Sequence, residues 1–224
     1  VPAGVCRASG GLHFQRTALT YNATRAASAR WKSTARSIVR TGPRPYIKWA
    51  QSVPEAFRFC VKVPKQLTHE ARLVDCEAGL DRFLHECGHL GDKLGCLLVQ
   101  LPPSLAFDAT SATSFFEALR VRYDGFVAIE PRHRSWLEAE PLLQQQRIAR
   151  VAADPAPFPE AAEPGGWPGF RYYRLHGSPR IYYSSYDDGW LDRLSARLVE
   201  ERQQGANSWC IRQYRQQCWL TQQP

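Results

Sequence analysis

Glu130 and Arg132 sit two residues apart, directly after the apolar run Phe126-Val-Ala-Ile. Residues i and i+2 on an extended chain point the same way, so a carboxylate and a guanidinium leave this run side by side. Such a pair can be a general base held ionised, part of an anion clamp, or a structural ion pair. A second set, Arg174 and His176, follows Phe170-Arg-Tyr-Tyr, with Gly177 next in line to permit close approach. Histidine is the usual proton shuttle near neutral pH, so Glu130 and His176 are the candidate catalytic residues. Lys62 alternates with Val61 and Val63 and is expected to point inward, where it needs a partner; Glu130 is the natural one. His69 lies close behind, and Lys65 reads as a surface lysine. Gln100 precedes Pro102 and Pro103 and can orient a ligand or satisfy a buried backbone group. Trp136, Trp167, Tyr182, Tyr183 and Tyr186 stand in segments that follow strands or in loops. An aromatic-lined mouth fits a planar or sugar-like ligand, although any one of these rings can equally be an apolar lid. The candidate substrate-binding residues are therefore Lys62, His69, Gln100, Arg132, Trp136, Arg174, Tyr182 and Tyr186.

Two motifs are set aside. His85, Glu86 and His89 match H-E-x-x-H, but Gly88 and Gly91 break the helix at the second histidine, and no third ligand follows. The run Pro164-Gly-Gly-Trp-Pro-Gly169 lacks the Lys-Ser/Thr of a phosphate loop. No metal site and no cofactor is expected.

These residues need elements to hold them. Short apolar runs alternate with helical stretches at βαβ spacing. Strands are expected at 57–63, 94–101, 126–129, 150–153, 170–175 and from Asn207 to Ile211. Helices are expected ending near Gln51 and over 80–87, 111–122, 141–146 and 189–203, and a loop over 155–168. A fully buried parallel strand is apolar until it ends, and in α/β folds the chemistry gathers at the strands' C-terminal ends.

The 224 residues suit one α/β barrel or at most two small domains. No apolar run is long enough to span a bilayer, and the N-terminus lacks a signal-peptide core. Seven cysteines without framework spacing point to free thiols and a cytoplasmic setting. The net charge of +8 is uneven. Residues 1–45 carry eight Lys or Arg and no acid, whereas the remaining 21 basic and 21 acidic side chains balance. A nucleic-acid-binding face is therefore disfavoured for residues 46–224. Residues 1–45 show no apolar period and read as a disordered basic arm.

The strand ends together resemble the YecE-like family, also called domain of unknown function 72. The resemblance rests on Phe59-Cys-Val-Lys62-Val-Pro64-Lys65 with Thr68 and His69, Leu97-Leu-Val-Gln100, Glu130-Pro-Arg132 with Trp136, Asp154-Pro155, and Tyr172-Tyr-Arg174-Leu-His176-Gly177. It covers about 46–211. The resemblance implies a TIM-type (β/α) barrel of a mainly bacterial family with no established activity. Two family segments are absent: Glu-Ile-Asn-Ser-(Ser/Thr)-Phe-Tyr-Arg before Tyr46, and Phe-(Asp/Asn)-Asn-Thr after Trp209. Synonymous codons for Lys32 to Pro43, read one nucleotide early, spell Glu-Ile-Asn-Ser-Ser-Phe-Tyr-Arg; those for Ile211 to Cys218, read from the second nucleotide, spell Phe-Asp-Asn-Thr. Both ends thus read as out-of-frame translation, from a pseudogene, a sequencing error or a damaged product. The barrel is then expected to be incomplete, without its first two strands and most of its last, with 212–224 as an anomalous tail. Such a chain is expected to be inactive. Three function classes stay open: an enzyme on a small polar or anionic substrate, a non-catalytic ligand-binding barrel, and a nucleic-acid-associated protein.

Overall fold

The computed structural model describes residues 17–22, 35–38, 43–178, 180, 181 and 183–213. In chain order the elements are β1 (Thr17–Asn22), β2 (Ala35–Ile38), α1 (Pro43–Gln51), β3 (Phe59–Lys62), α2 (Glu77–Gly88) and β4 (Leu94–Gln100). They continue with α3 (Ala109–Arg122), β5 (Phe126–Glu130), α4 (Glu140–Gln145), β6 (Ile148–Arg150), β7 (Ala152–Asp154) and β8 (Gly165–Gly166). β9 (Phe170–Leu175), α5 (Asp188–Gln203) and β10 (Asn207–Gln213) complete the series. The expected strands and helices from Phe57 onward are all present, with ends shifted by a few residues. The stretch expected as one strand at 150–153 is two, β6 and β7, separated by Val151 alone.

The N-terminal expectation needs correction. β1 and β2 lie inside the segment read as an arm without elements. They fill the place between β10 and β3, where two strands were expected to be missing. β10 also runs to Gln213, two residues beyond the expected strand and into the segment read as a tail. The backbone pairing explains the difference: a ladder is satisfied by main-chain groups of any sequence, so strand pairing does not require an apolar pattern.

All ten strands form one sheet in the order β7-β9-β10-β1-β2-β3-β4-β5-β6-β8. From β2 to β6 every neighbouring pair is parallel, as are β7–β9 and β9–β10. β1 is antiparallel to both its neighbours, and β8 to β6. The sheet thus begins at β7 and ends at β6 and β8, yet β6 and β7 are consecutive in the chain.

Strand alternation sorts the side chains onto two faces. Phe59, Val61, Leu97, Val99, Val127, Ile129 and Ile148 pack with Leu80 and Phe83 of α2 and Phe115, Phe116 and Leu119 of α3. Cys60, Cys96, Leu98, Ala128, Ala149, Phe170, Tyr172 and Trp209 pack with one another on the opposite face. Burial on both faces is why these strands read as unbroken apolar runs. Helices α3 and α5 start where Asp108 and Asp187 accept from the Ser111 and Trp190 amides, each at 2.8 Å. No helix among the described residues is long and apolar enough to cross a membrane.

Contacts on the second face join strands far apart in the sheet order. The Tyr172 hydroxyl of β9 donates to Cys60 Sγ of β3 at 3.0 Å. The rings of Phe126 (β5) and Phe170 (β9) stack at 4.6 Å. Trp209 of β10 reaches β4 at Gly95. There the register steps from Phe59↔Leu94 to Cys60↔Cys96, leaving Gly95 as the extra residue of a bulge. A Cβ at Gly95 would lie 2.4 Å from the Trp209 ring. Gly95→Val is therefore expected to cost about 1–3 kcal/mol through overpacking. Urea denaturation measures this, and an unchanged midpoint would show that Trp209 does not fill the bulge.

Candidate functional site

The end of β5 and the end of β9 bring the two polar sets together. Gln100 is the register partner of Glu130, so both leave the sheet at one level. Ala153 of β7 is the register partner of Arg174, and the His176 amide donates to the Asp154 carbonyl at 2.7 Å. Thus β7 carries Arg174 and His176 to the side of the sheet where Glu130 stands.

The geometry centres on one carboxylate. Glu130 Oε2 pairs with Arg174 Nη1, and both side chains are about 95 % buried (4 % and 5 % exposed). Glu130 Oε1 accepts from Arg132 Nη2 at 3.3 Å and lies 3.9 Å from His176 Nε2. Arg132 is the movable partner, with 38 % of its side chain exposed. An ion pair this deep is held in place by the cost of leaving either charge alone. Two guanidiniums on one carboxylate also leave the cluster with positive charge to spare, which suits an incoming anion.

Lys62 closes β3 and is half-buried. His69 sits in the turn of helix at Gln66–Glu70 that follows. Its Nδ1 is 2.8 Å from Thr68 Oγ1. Partial burial, then the charges of Lys62, Lys65 and Arg132, push the His69 imidazole below its ordinary value of 6.5. Neutral His69 is therefore favoured in the folded chain. Its contribution to stability is present above pH 6.5 and is lost as pH falls through the lower folded value. Lys65, exposed as expected, still adds to the potential at His69.

The aromatic residues fare differently. Trp136 is not at the mouth. It is 1 % exposed, donates from Nε1 to the Leu105 carbonyl at 3.0 Å, and packs edge-on against Phe107 and Phe116. A Trp just after a strand end reads as a pocket wall, but the short helix Arg134–Ala139 turns it into the helical core. Trp167 lies towards Phe126, at the start of β5 and so at the opposite end of the strand from Glu130. Tyr183 is exposed, with Arg180 over its ring. Tyr182 is outside the described residues. Tyr186 is tied up: its hydroxyl accepts from the Gly177 amide at 3.0 Å and donates to the Asp154 carbonyl at 3.3 Å. Its ring stacks on Trp190 at 4.2 Å. Tyr186 thus fastens the corner that carries His176, and Gly177, at φ +92°, makes that corner.

Sequence reading missed two contributors. One is the Asp154 carbonyl, which anchors both His176 and Tyr186. The other lies beneath Arg174, where Tyr172 bonds Cys60. Burial opposes the Cys60 thiolate, but hydrogen bonds from Cys96 and Tyr172 and the charge of Arg174 hold the thiol below its ordinary value. The alternation of β3 and β9 contained that signal, since Cys60 and Lys62 share a face, as do Tyr172 and Arg174.

His85 and His89 meet edge to face, their ring centroids 5.3 Å apart. His89 lies beyond the end of α2, and its Nδ1 is 2.9 Å from the His85 carbonyl. Among the described residues no three metal-binding side chains cluster. A cavity of about 250 Å³ between α2 and α3, lined by Asp75, Glu77, Ser111 and Ser114, is separate from the charged cluster. Convergent charge, not concavity, marks the site.

Comparison with known proteins places the fold. The family model described as "Protein of unknown function DUF72" matches residues 40–217. The UPF0759 protein YecE of Escherichia coli strain K12 is 27% identical over 130 residues, covering 54% of this chain and 47% of that protein. The protein of the same name from E. coli O157:H7 is 26% identical over the same length. The chain thus spans about half the length of the curated relatives it matches. A DUF72 family crystal structure from Thermotoga maritima superposes with a TM-score of 0.59 at 25% identity, over 74% of this chain and 69% of that one. Another, from Enterococcus faecalis, gives 0.60 at 22% identity over 75% of each chain. The matched residues run from just before α1 to beyond β10 and include the strand ends that carry Glu130, Arg174 and His176, and the chain belongs to the DUF72 family.

Proposed function

We propose that the sheet closes as a TIM-type (β/α) barrel whose strand C-terminal ends form a site for a small anionic substrate. Closure is supported by the single residue between β6 and β7, which pair with β5 and β9 respectively, and by the contacts from β9 to β3 and from β10 to β4. A ring needs no free edge, which removes the hazard that an open ten-stranded sheet would carry. In such barrels active sites sit at the C-terminal face.

One observation carries the functional reading: Glu130, Arg174 and His176 are buried together, from two strands, with a half-exposed Arg132 on the outer carboxylate oxygen. Arg174 is the fixed counter-ion. Arg132 can turn to an incoming anion. That movement releases Glu130 Oε1 beside His176 Nε2, so binding would ready the carboxylate–imidazole pair for proton transfer. Lys62 and Gln100 complete the substrate side. The proteins it resembles are described without an activity, so the reaction is argued from these side chains alone.

The test is a thermal-unfolding screen of the full chain against phosphate, sulfate and small phosphorylated and carboxylated metabolites. A ligand that raises the unfolding temperature of the wild type but not of Arg132→Met supports the site. Glu130→Gln should then keep affinity for that ligand within about threefold, less than 1 kcal/mol. If it also abolishes turnover, the site is catalytic; if turnover is absent in the wild type as well, it is a binding barrel. Failure of every anion to stabilise the chain contradicts the reading.

A further inference from the structure

Two thiols meet one layer beneath the charged cluster. Cys60 of β3 and Cys96 of β4 are register partners, and both are fully buried on the second face of the sheet. The bulge at Gly95 brings them together. Had the register of Phe59↔Leu94 continued, Cys60 would face Gly95, and Cys96 would turn to the helical face beside Val61. Paired strands run about 4.8 Å apart, inside the Cα separation of about 4.4–6.8 Å that a disulfide spans.

The two sulfurs have unlike surroundings. The Tyr172 hydroxyl donates to Cys60 Sγ at 3.0 Å, and Arg174 follows on the same face of β9. Cys96 Sγ instead donates to the Leu97 carbonyl at 3.3 Å. Donors and positive charge around a sulfur favour its thiolate, which is the reactive form. Cys60 is held below its ordinary value against the cost of burial, whereas burial and then Cys60 itself push Cys96 well above. Hydrogen peroxide is close to water in size, and Cys60 lies two residues below the half-buried Lys62 at the end of β3.

We propose that Cys60 and Cys96 form a peroxide-closed disulfide across β3 and β4, with Cys60 as the attacking thiol and Cys96 as the resolving one. The Cys60 sulfur attacks hydrogen peroxide: an S–O bond forms, the O–O bond breaks, and the leaving oxygen departs as water with the thiol's proton. The Cys96 sulfur then attacks Cys60: an S–S bond forms, the S–O bond breaks, and the hydroxyl leaves as a second water with the Cys96 proton. Two thiols are oxidised and one peroxide is reduced. Closure removes the thiol that receives the Tyr172 hydroxyl, in the layer beneath Arg174. This chemistry does not depend on anion binding at the mouth.

The experiment treats the native full chain with hydrogen peroxide, alkylates the remaining thiols in denaturant, and maps tryptic peptides by mass. The expected result is a linked Cys60–Cys96 peptide pair, lighter by two hydrogens and released by dithiothreitol. Cys76, Cys87 and Cys210 should be recovered alkylated; they are buried too, so burial alone does not single out the pair. The same treatment in urea should lose the preference. Tyr172→Phe should slow linking about threefold, the net of lost thiolate and gained nucleophilicity for one pKa unit. Cys96→Ala should leave Cys60 as a sulfenic acid that dimedone traps. Recovery of both cysteines as free thiols, or linking with no preference over the other three, overturns the pair. Sulfenic acid at Cys96 in Cys60→Ala, at the rate seen for Cys60, overturns the order of attack.

Discussion

Arg174→Leu is expected to lower folding stability by about 3–5 kcal/mol, the cost of removing one partner from a buried ion pair. Glu130 is 4 % exposed and would keep Arg132, at 3.3 Å and 38 % exposed, and His176, at 3.9 Å. The companion variant Glu130→Leu strands the opposite charge and should cost a similar amount. The double variant should recover most of the loss, because two apolar side chains can fill the space that the pair leaves. Urea denaturation with matched slopes reads all three. A single-variant loss below about 1 kcal/mol would place the pair in the class of solvated surface bridges. That outcome would remove the buried cluster on which the site is built.

Trp136→Ala is expected to cost about 3–5 kcal/mol, as large-to-small changes of fully buried aromatic residues do. The ring is 1 % exposed, touches Phe107 and Phe116, and holds the Leu105 carbonyl through Nε1. Its removal leaves a cavity and an unpaired buried acceptor. Because Trp136 lies on the helical side, anion affinity of the folded variant should stay within about twofold, roughly 0.4 kcal/mol. A variant that keeps its stability and loses anion binding would return Trp136 to the mouth.

These two residues show where the chain was legible. Glu130 announces itself because β5 is apolar up to its last residue, and Arg174 because it stands beside the strand end of β9, two residues before His176. A charge there has only a rim or a mouth to occupy. Lys62 was read by alternation within β3, whose last residue it is, and there it is half-buried. Trp136 was not, because the turn at Arg134–Ala139 rotates a side chain by an amount no periodicity records. Tyr186 was half legible: a tyrosine after a strand belongs near the mouth, but only the structure reveals that its hydroxyl is spent on Gly177 and Asp154. The N-terminal segment was least legible. β1 and β2 pair through main-chain groups, and their sequences, Thr17–Asn22 and Ala35–Ile38, lack the apolar run that reveals the other strands. The out-of-frame reading of both termini is a separate proposal, settled by re-reading the gene across codons 1–50 and 205–224.

The central claim is that the strand ends form one anion site. Its most direct test is a phosphate titration of the full chain, followed through arginine and histidine side-chain ¹⁵N resonances. The account predicts that Arg132, His69 and His176 shift together along a single saturable curve, while His85 and His89 on the helical layer do not move. Shifts confined to the surface histidines, or no saturable shift at Arg132, would contradict it.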